Sequence, residues 1–361
     1  MMLSAQSQLL ERNLELFDEG EWLLINPADA YFTDLLTHRP LAILHQYFDV
    51  FSESAGSIAA QSLDSRDVAT SDVGFCLQQQ VGKHLHLFTP FVDKKKSFTD
   101  VLIYLPKAKA QLAMLLQMAA SVLTPGGRIH LVGENKGGIK SADKLTQRYG
   151  TTEKVDSARH CSLLTTHLEN PVAFAPTDWI ESNTFTIADT ELDVVSMPGV
   201  FSHNELDDGT ELLLHKLPSS LRNKVLDFAC GAGVIGAHLK QQYPHFDVTL
   251  LDVSALALYC AARTLKANQL TGTLIAANGL HGVDSQFNHI ITNPPFHTGI
   301  KTDYSITKRF ISDSRRILAK SGSLYMVANR FLPYPGLLAE QFSQVRTLAQ
   351  TSRFSVYLVL A

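Results

Sequence analysis

Residues 225–236 read Val-Leu-Asp-Phe-Ala-Cys-Gly-Ala-Gly-Val-Ile-Gly. An apolar run ends in a carboxylate and then in glycines at 231, 233 and 236, and no other stretch constrains the fold as much. A short apolar run stopped by glycine suits a buried strand, and Val234–Gln242 behind it has helical spacing. Glycines at such a turn let the backbone bend tightly and let a ligand approach the main chain. Gly231-Ala-Gly233-Val-Ile-Gly236 matches the dinucleotide fingerprint, with Asp252 near the usual ~20-residue spacing. A nicotinamide enzyme therefore stays open on these residues. Asp227 favours S-adenosylmethionine: a carboxylate four residues before Gly231 repels a pyrophosphate and suits a cationic methionine end. Asp252, ending the next strand, can accept from both ribose hydroxyls, and Asn278 after the third can face the adenine.

The rest of the C-terminal half alternates strand and helix. Strands are expected at Lys224–Asp227, Asp247–Asp252, Thr273–Ala277, His289–Thr292 and Ser323–Ala328, and helices at Ala255–Asn268 and Thr302–Ala319. Val345–Ala349 and Phe354–Leu360 read as a closing hairpin, giving an open α/β sheet with one antiparallel strand. The N-terminal half echoes this pattern. Phe98–Pro106 can be laid over Phe287–Pro295, and Leu123–Val132 over Leu318–Val327, at offsets of 189 and 195 residues. The echo predicts a duplicated domain whose first copy lacks the glycine turn and carries Tyr104-Leu-Pro-Lys107 in place of a polar motif. Prolines 171 and 176 and the polar stretch Glu181–Thr184 place the division within 175–190, giving domains 1–185 and 186–361.

That polar motif is Asn293-Pro294-Pro295-Phe296, after the fourth strand. In a doubly wound sheet the first and fourth strands are neighbours at the topological switch point, where ligands bind. Asn293 and Asp227 should face one crevice. The chemistry this suits is methylation of an aromatic amine, whose lone pair is delocalised into the ring. The Asn293 side-chain oxygen and the Pro294 carbonyl can each accept one amine N–H, and proline rigidity holds both acceptors in place. The nitrogen is then pyramidal with its lone pair aimed for in-line transfer. Phe296 can stack on the base, and a paired base must first be flipped out. Cys230 lies in the turn and Cys260 in a helix, so no thiolate nucleophile for ring-carbon methylation is indicated.

Composition excludes other classes. No apolar stretch approaches the ~20 residues that span a bilayer, and the acidic N-terminus is not a signal peptide. The four dispersed cysteines form no CxxC pair, and the 14 histidines show no metal spacing. A cytoplasmic protein without a metal or a membrane partner is expected. With a net charge of −4, any nucleic-acid contact must use a local basic face. Lys301, Lys308, Arg309, Arg315 and Arg316, on or near the helix after the motif, are the candidate phosphate contacts.

The chain resembles the ribosomal RNA small subunit methyltransferase C family, which methylates the N2 amine of guanine 1207 in 16S RNA. The resemblance rests on Val132–Lys136, Lys154–Cys161, Pro198–Ser202, Leu206–Thr210, Asn293-Pro-Pro-Phe-His-Thr-Gly299 and Val327–Pro335. It implies two tandem class I (Rossmann-like) methyltransferase domains, the N-terminal one degenerate. It further implies S-adenosylmethionine as methyl donor, S-adenosylhomocysteine as product, and 16S rRNA in the assembled 30S subunit as substrate for a monomeric enzyme. By the same resemblance the segment holding Phe201, Asp207, Gly209 and Thr210 folds over the cofactor, although Thr210 also suits a helix start. Ala229, Cys230, Val253 and Gly279, beside the turn and the acids, complete the expected cofactor set. Ala229 departs from the glycine of many relatives, as does Asn288-His289 from a usual Phe-Asp. A large-subunit guanine-N2 enzyme, another amine methylase of the Asn-Pro-Pro-aromatic type, and a noncatalytic ribosome-binding protein are the alternatives.

Overall fold

A computed structural model describes residues 3–93, 97–201, 205–294 and 304–361. The chain forms two units, Met1–Ile58 with Ser71–Ile180, and Ala59–Thr70 with Glu181–Ala361.

The second unit holds an eight-stranded sheet. Its order is Gln344–Gln350, Phe354–Leu360, Leu318–Asn329, Phe287–Thr292, Lys224–Phe228, Asp247–Asp252, Thr273–Ala276 and Gln61–Asp64. The five strands from Leu318–Asn329 to Thr273–Ala276 are parallel. Helices Val234–Gln242, Ala255–Ala267 and Tyr304–Ile317 make three of the four connections between them, and the connection from Thr273–Ala276 to Phe287–Thr292 has no helix. One apolar core lies under Leu226, Phe287, Ile290, Ile311, Leu324 and Met326. Lys224–Phe228 lies between Asp247–Asp252 and Phe287–Thr292, so the switch point falls where the sequence places it.

Two features differ from the sequence expectation. Phe354–Leu360 runs antiparallel to its neighbour, but so does Gln61–Asp64, which pairs with Thr273–Ala276 at the far edge. That strand comes from over 200 residues upstream, a pairing that local periodicity cannot reveal. Ser65 Oγ accepts the Gly272 N–H at 3.0 Å, and Lys266 Nζ reaches the Ala69 carbonyl at 3.3 Å, fixing the segment there. The expected boundary at 185/186 would also cut the strand Glu181–Ile187, which pairs with Thr190–Ser196 as a separate hairpin. The Val195 N–H to Thr264 Oγ1 bond (3.0 Å) docks this hairpin on the helix Ala255–Ala267. The division therefore falls between Ile180 and Glu181, with 59–70 belonging to the second unit.

The first unit repeats the design. Its sheet order is Thr152–Ala158, Cys161–His167, Leu123–Glu134, Phe98–Tyr104, Trp22–Ile25, Leu41–His45, His84–Phe88 and Leu77–Val81. Again five parallel strands lie between two antiparallel neighbours, Leu77–Val81 on one side and Cys161–His167 on the other. Phe98–Tyr104 and Phe287–Thr292 hold the same place in their sheets, as do Leu123–Glu134 and Leu318–Asn329. These are the pairs whose sequences can be overlaid, and the shared strand order makes the duplication structural.

Candidate active site

The central strand of the second unit ends in a strained turn. Ala229, Gly231 and Gly233 have φ of +55°, +54° and +81°. Left-handed backbone suits glycine and costs an L-residue about 1–2 kcal/mol, so the departure at Ala229 carries strain. A Cβ on Gly233 would sit 3.0 Å from the Ala261 Cβ and 3.1 Å from Leu250 Cδ2, and one on Gly236 would sit 2.8 Å from Leu250. The glycines are thus what lets the helix Val234–Gln242 lie against the neighbouring strand and helix.

Two carboxylates stand behind the turn. Asp227 is fully buried; its Oδ2 accepts the Gly236 N–H at 2.8 Å, and its Oδ1 has no partner among the described residues. Burial pushes its pKa up to about 8, with the nearby Asp252 charge adding to the rise and the Gly236 N–H opposing it. Asp252 accepts the N–H groups of Gly231 and Ser254, both at 2.9 Å, and burial raises its pKa too. A fully buried carboxylate oxygen without a donor, under the influence of a second carboxylate, is a group that a positive charge would satisfy. The cationic end of S-adenosylmethionine fits it and a pyrophosphate does not. Cys230 is buried, and its thiol is held far above its usual pKa by burial and by Asp252 and Asp227, which removes it as a nucleophile.

Asn293 follows Phe287–Thr292. Its Nδ2 donates to Asp207 Oδ2 at 2.7 Å and to Thr210 Oγ1 at 3.0 Å. Asp207 is also the N-cap of the helix Asp208–His215, its Oδ2 accepting the Thr210 N–H at 2.8 Å. The helix begins before Thr210, whose hydroxyl serves the site instead. Because Asp207 and Thr210 engage both amide hydrogens, the side-chain oxygen of Asn293 is left as the group that can accept from a substrate. One open cavity is bordered by Asn293, Asp207, Thr210, Phe201 and the turn from Ala229 to Ile235, with Phe185 and Val194 of the hairpin as a further wall. The glycine turn and Asn293 therefore share one chamber.

The other expected residues divide. Val253 follows Asp252 and is half-buried. Asn278 is exposed and Gly279 has φ +62°, both in a turn after Thr273–Ala276, and neither borders the cavity. Pro294 is buried beside Asn293, while Pro295, Phe296 and Lys301 lie outside the described residues. Among the cations, Lys308 pairs with Glu340, Arg309 with Asp313, and Arg315 donates to the Gln341 carbonyl. Arg316 is exposed, and its guanidinium donates to the Val283 and Leu280 carbonyls at 3.0 Å each, bracing a loop. The reading of the sequence gave Asp207 no contact with the motif; its partner Asn293 is 86 residues away.

Comparison with known proteins bears on the whole chain. Residues 191–358 match the model of the methyltransferase small domain, and residues 7–183 that of its N-terminal domain. A protein of Alteromonas mediterranea named ribosomal RNA small subunit methyltransferase C is 61% identical over 358 residues, 99% of both chains. One of the same name from Pseudoalteromonas atlantica is 43% identical over 99% of both. The chain belongs to the ribosomal RNA small subunit methyltransferase C family. The fold extends further in sequence. The T. thermophilus 16S rRNA N2 G1207 methyltransferase, solved with AdoMet and guanosine, superposes with a TM-score of 0.79 at 21% identity, over 99% of this chain and 92% of that one. Both units of the chain thus have counterparts in that fold.

Proposed function

We propose that this protein transfers a methyl group from S-adenosylmethionine to the exocyclic N2 of a guanine in 16S ribosomal RNA, releasing S-adenosylhomocysteine. The substrate we assign is the small ribosomal subunit and the position that equivalent to guanine 1207, with the enzyme acting as a monomer in the cytoplasm. Family membership supplies the reaction class, and the shared chamber carries the residue assignment: Asn293, clamped by Asp207 and Thr210, borders the same cavity as the glycine turn.

When bound, S-adenosylmethionine supplies an electrophilic methyl carbon. Asp227 would face its cationic end, Asp252 its ribose, and Phe201, Thr210 and the turn from Ala229 to Gly233 would enclose it, with Val253, Asn278 and Gly279 towards the adenine. The remaining work is orientation. The Asn293 Oδ1 accepts one N–H of the guanine amine and the Pro294 carbonyl the other, so the nitrogen lone pair leaves conjugation and points across the chamber. The amine proton becomes acidic only as the new N–C bond forms and passes to water, so no strong base is needed. Phe296 stacks on the flipped base. Lys301, Lys308, Arg309 and Arg315 approach the backbone; the exposed pairs of Lys308 with Glu340 and of Arg309 with Asp313 are worth only about 0–1 kcal/mol. Among its described residues the first unit has no counterpart of this chamber's chemistry, and its role is in packing or in recognising the subunit.

The experiment is transfer of a labelled methyl group to purified small subunits, large subunits and protein-free 16S RNA, all from cells lacking this gene. N2-methylguanosine in small subunits alone is expected. Label in large subunits would move the substrate to the other subunit, and no label would refute the nucleic-acid assignment.

A further inference from the structure

We infer that the turn after the strand Leu318–Asn329 is a second contact for the RNA, where Phe331 stacks on an unpaired base near the target and Arg330 and Arg353 meet the adjoining phosphates. The inference rests on the function proposed above. Phe331 is 86% exposed, more than any other large apolar side chain among the described residues. The turn itself is well fixed: the Leu332 N–H donates to the Asn329 carbonyl at 3.1 Å, and the Arg330 N–H to the Arg353 carbonyl at 2.8 Å. Leu332 packs inward on the core and Tyr334 is buried, while Phe331 between them and the arginine faces water. A ring held out from a fixed turn gains nothing for the fold.

Its place relates it to the site. Phe287–Thr292 and Leu318–Asn329 are neighbouring parallel strands with Thr292 opposite Met326, so Asn293 and this turn leave the same edge of the sheet. Phe331 lies five positions after Met326, which bounds the separation along the strand at about 18 Å, a few nucleotides of RNA. Arg353 lies 5.1 Å from the Phe354 ring and 2.9 Å from Asp208, with side chains 69% and 67% exposed. Such a pair is weak enough for a phosphate to compete. Arg330 is exposed and in the same turn. One aromatic with arginines beside it is what an unpaired strand needs, since every base has a stacking face and Arg adds charge. A protein partner would need about 800 Å² of complementary surface, and apart from Phe331 the turn presents charge rather than an apolar face.

The test uses the full chain. In the Phe331→Ala variant KM for small subunits should rise about tenfold, with kcat within twofold and the unfolding midpoint unchanged, and Phe331→Trp should restore KM. Phe331→p-benzoylphenylalanine, irradiated on small subunits, should crosslink to 16S RNA. An unchanged KM in Phe331→Ala, no crosslink, or a crosslink to a ribosomal protein would overturn the inference. Absence of N2-methylguanosine with the unaltered enzyme would instead strike the proposed function, and the crosslink would still report what Phe331 touches.

Discussion

The two units share a strand order, and their differences fall at the carboxyl ends of the central strands. By register, Leu24 in the first unit stands where Asp227 stands in the second, and His45 where Asp252 stands. Tyr104 occupies the place of Asn293; it is buried and its hydroxyl meets Ser7 Oγ at 3.0 Å. Between the strand ends, where the second unit keeps a cavity, the first packs the buried side chain of Gln46. Its amide is bound by Asn26 at 2.9 Å, the Pro90 carbonyl at 2.8 Å and Gln111 at 3.2 Å. At these positions the first copy binds the Tyr104 hydroxyl and the Gln46 amide internally, although His45 Nδ1 has no partner among the described residues; the other copy leaves Asp227 Oδ1 without a partner among them and the oxygen of Asn293 presented to the chamber. A buried polar group left unpaired costs about 1–3 kcal/mol in the resting protein, which a ligand can recover.

The largest effect should come from the motif. Asn293→Ala should lower kcat about 10³-fold, the scale of losing one preorganised hydrogen-bonding group, while cofactor affinity stays within a few-fold. The matched change Tyr104→Ala should leave kcat intact in whatever fraction folds. Kinetics beside a cofactor titration check both, and a large loss of cofactor affinity in Asn293→Ala would show that the residue holds the cofactor.

Next comes the clamp. Asp207→Ser keeps a good N-cap residue but is too short to hold the Asn293 amide. We expect kcat to fall about 10- to 100-fold with KM little changed, and helix content to be unaltered by circular dichroism. An equal effect of Asp207→Asn would point to loss of charge; a milder effect would point to loss of reach.

The pH dependence follows from Asp227. Its carboxyl stays protonated up to about pH 8 in the resting protein, and a cation is attracted only by the ionised form. Cofactor affinity should therefore rise with pH up to about 8 and level off above it, and the slope should vanish in Asp227→Asn. The sign for stability is opposite. The folded pKa lies above the unfolded value, so the resting protein should lose stability as pH rises from about 4 to about 8. Isothermal titration and thermal unfolding across that window test both signs.

The smallest effect belongs to the first unit. Tyr104→Phe removes only the bond to Ser7 and should cost about 1 kcal/mol, seen as a lower denaturation midpoint with unchanged turnover.

Much of this contrast was legible in the sequence because its carriers are local. The glycine turn, the strand-ending acids and Asn293 each follow an apolar run whose length and stop are written nearby. Val234–Gln242, Asp247–Asp252 and Phe354–Leu360 have the expected bounds. What stayed hidden depends on contacts across the chain. Gln61–Asp64 reads as polar and exposed until Thr273–Ala276 pairs with it. The sequence suits a helix start at Thr210, whereas the cap is Asp207, and only folding adds Asn293 to its partners. Arg316 reads as a surface cation because nothing in its helix announces the carbonyls of Leu280 and Val283.

The most direct test of the contrast is the stoichiometry of cofactor binding to the full chain by isothermal titration, repeated with Asp252→Ala and His45→Ala. One site per chain, lost in Asp252→Ala and untouched in His45→Ala, is the predicted result. Two sites, or one that survives Asp252→Ala and disappears with His45→Ala, would contradict the assignment of the chemistry to the second unit.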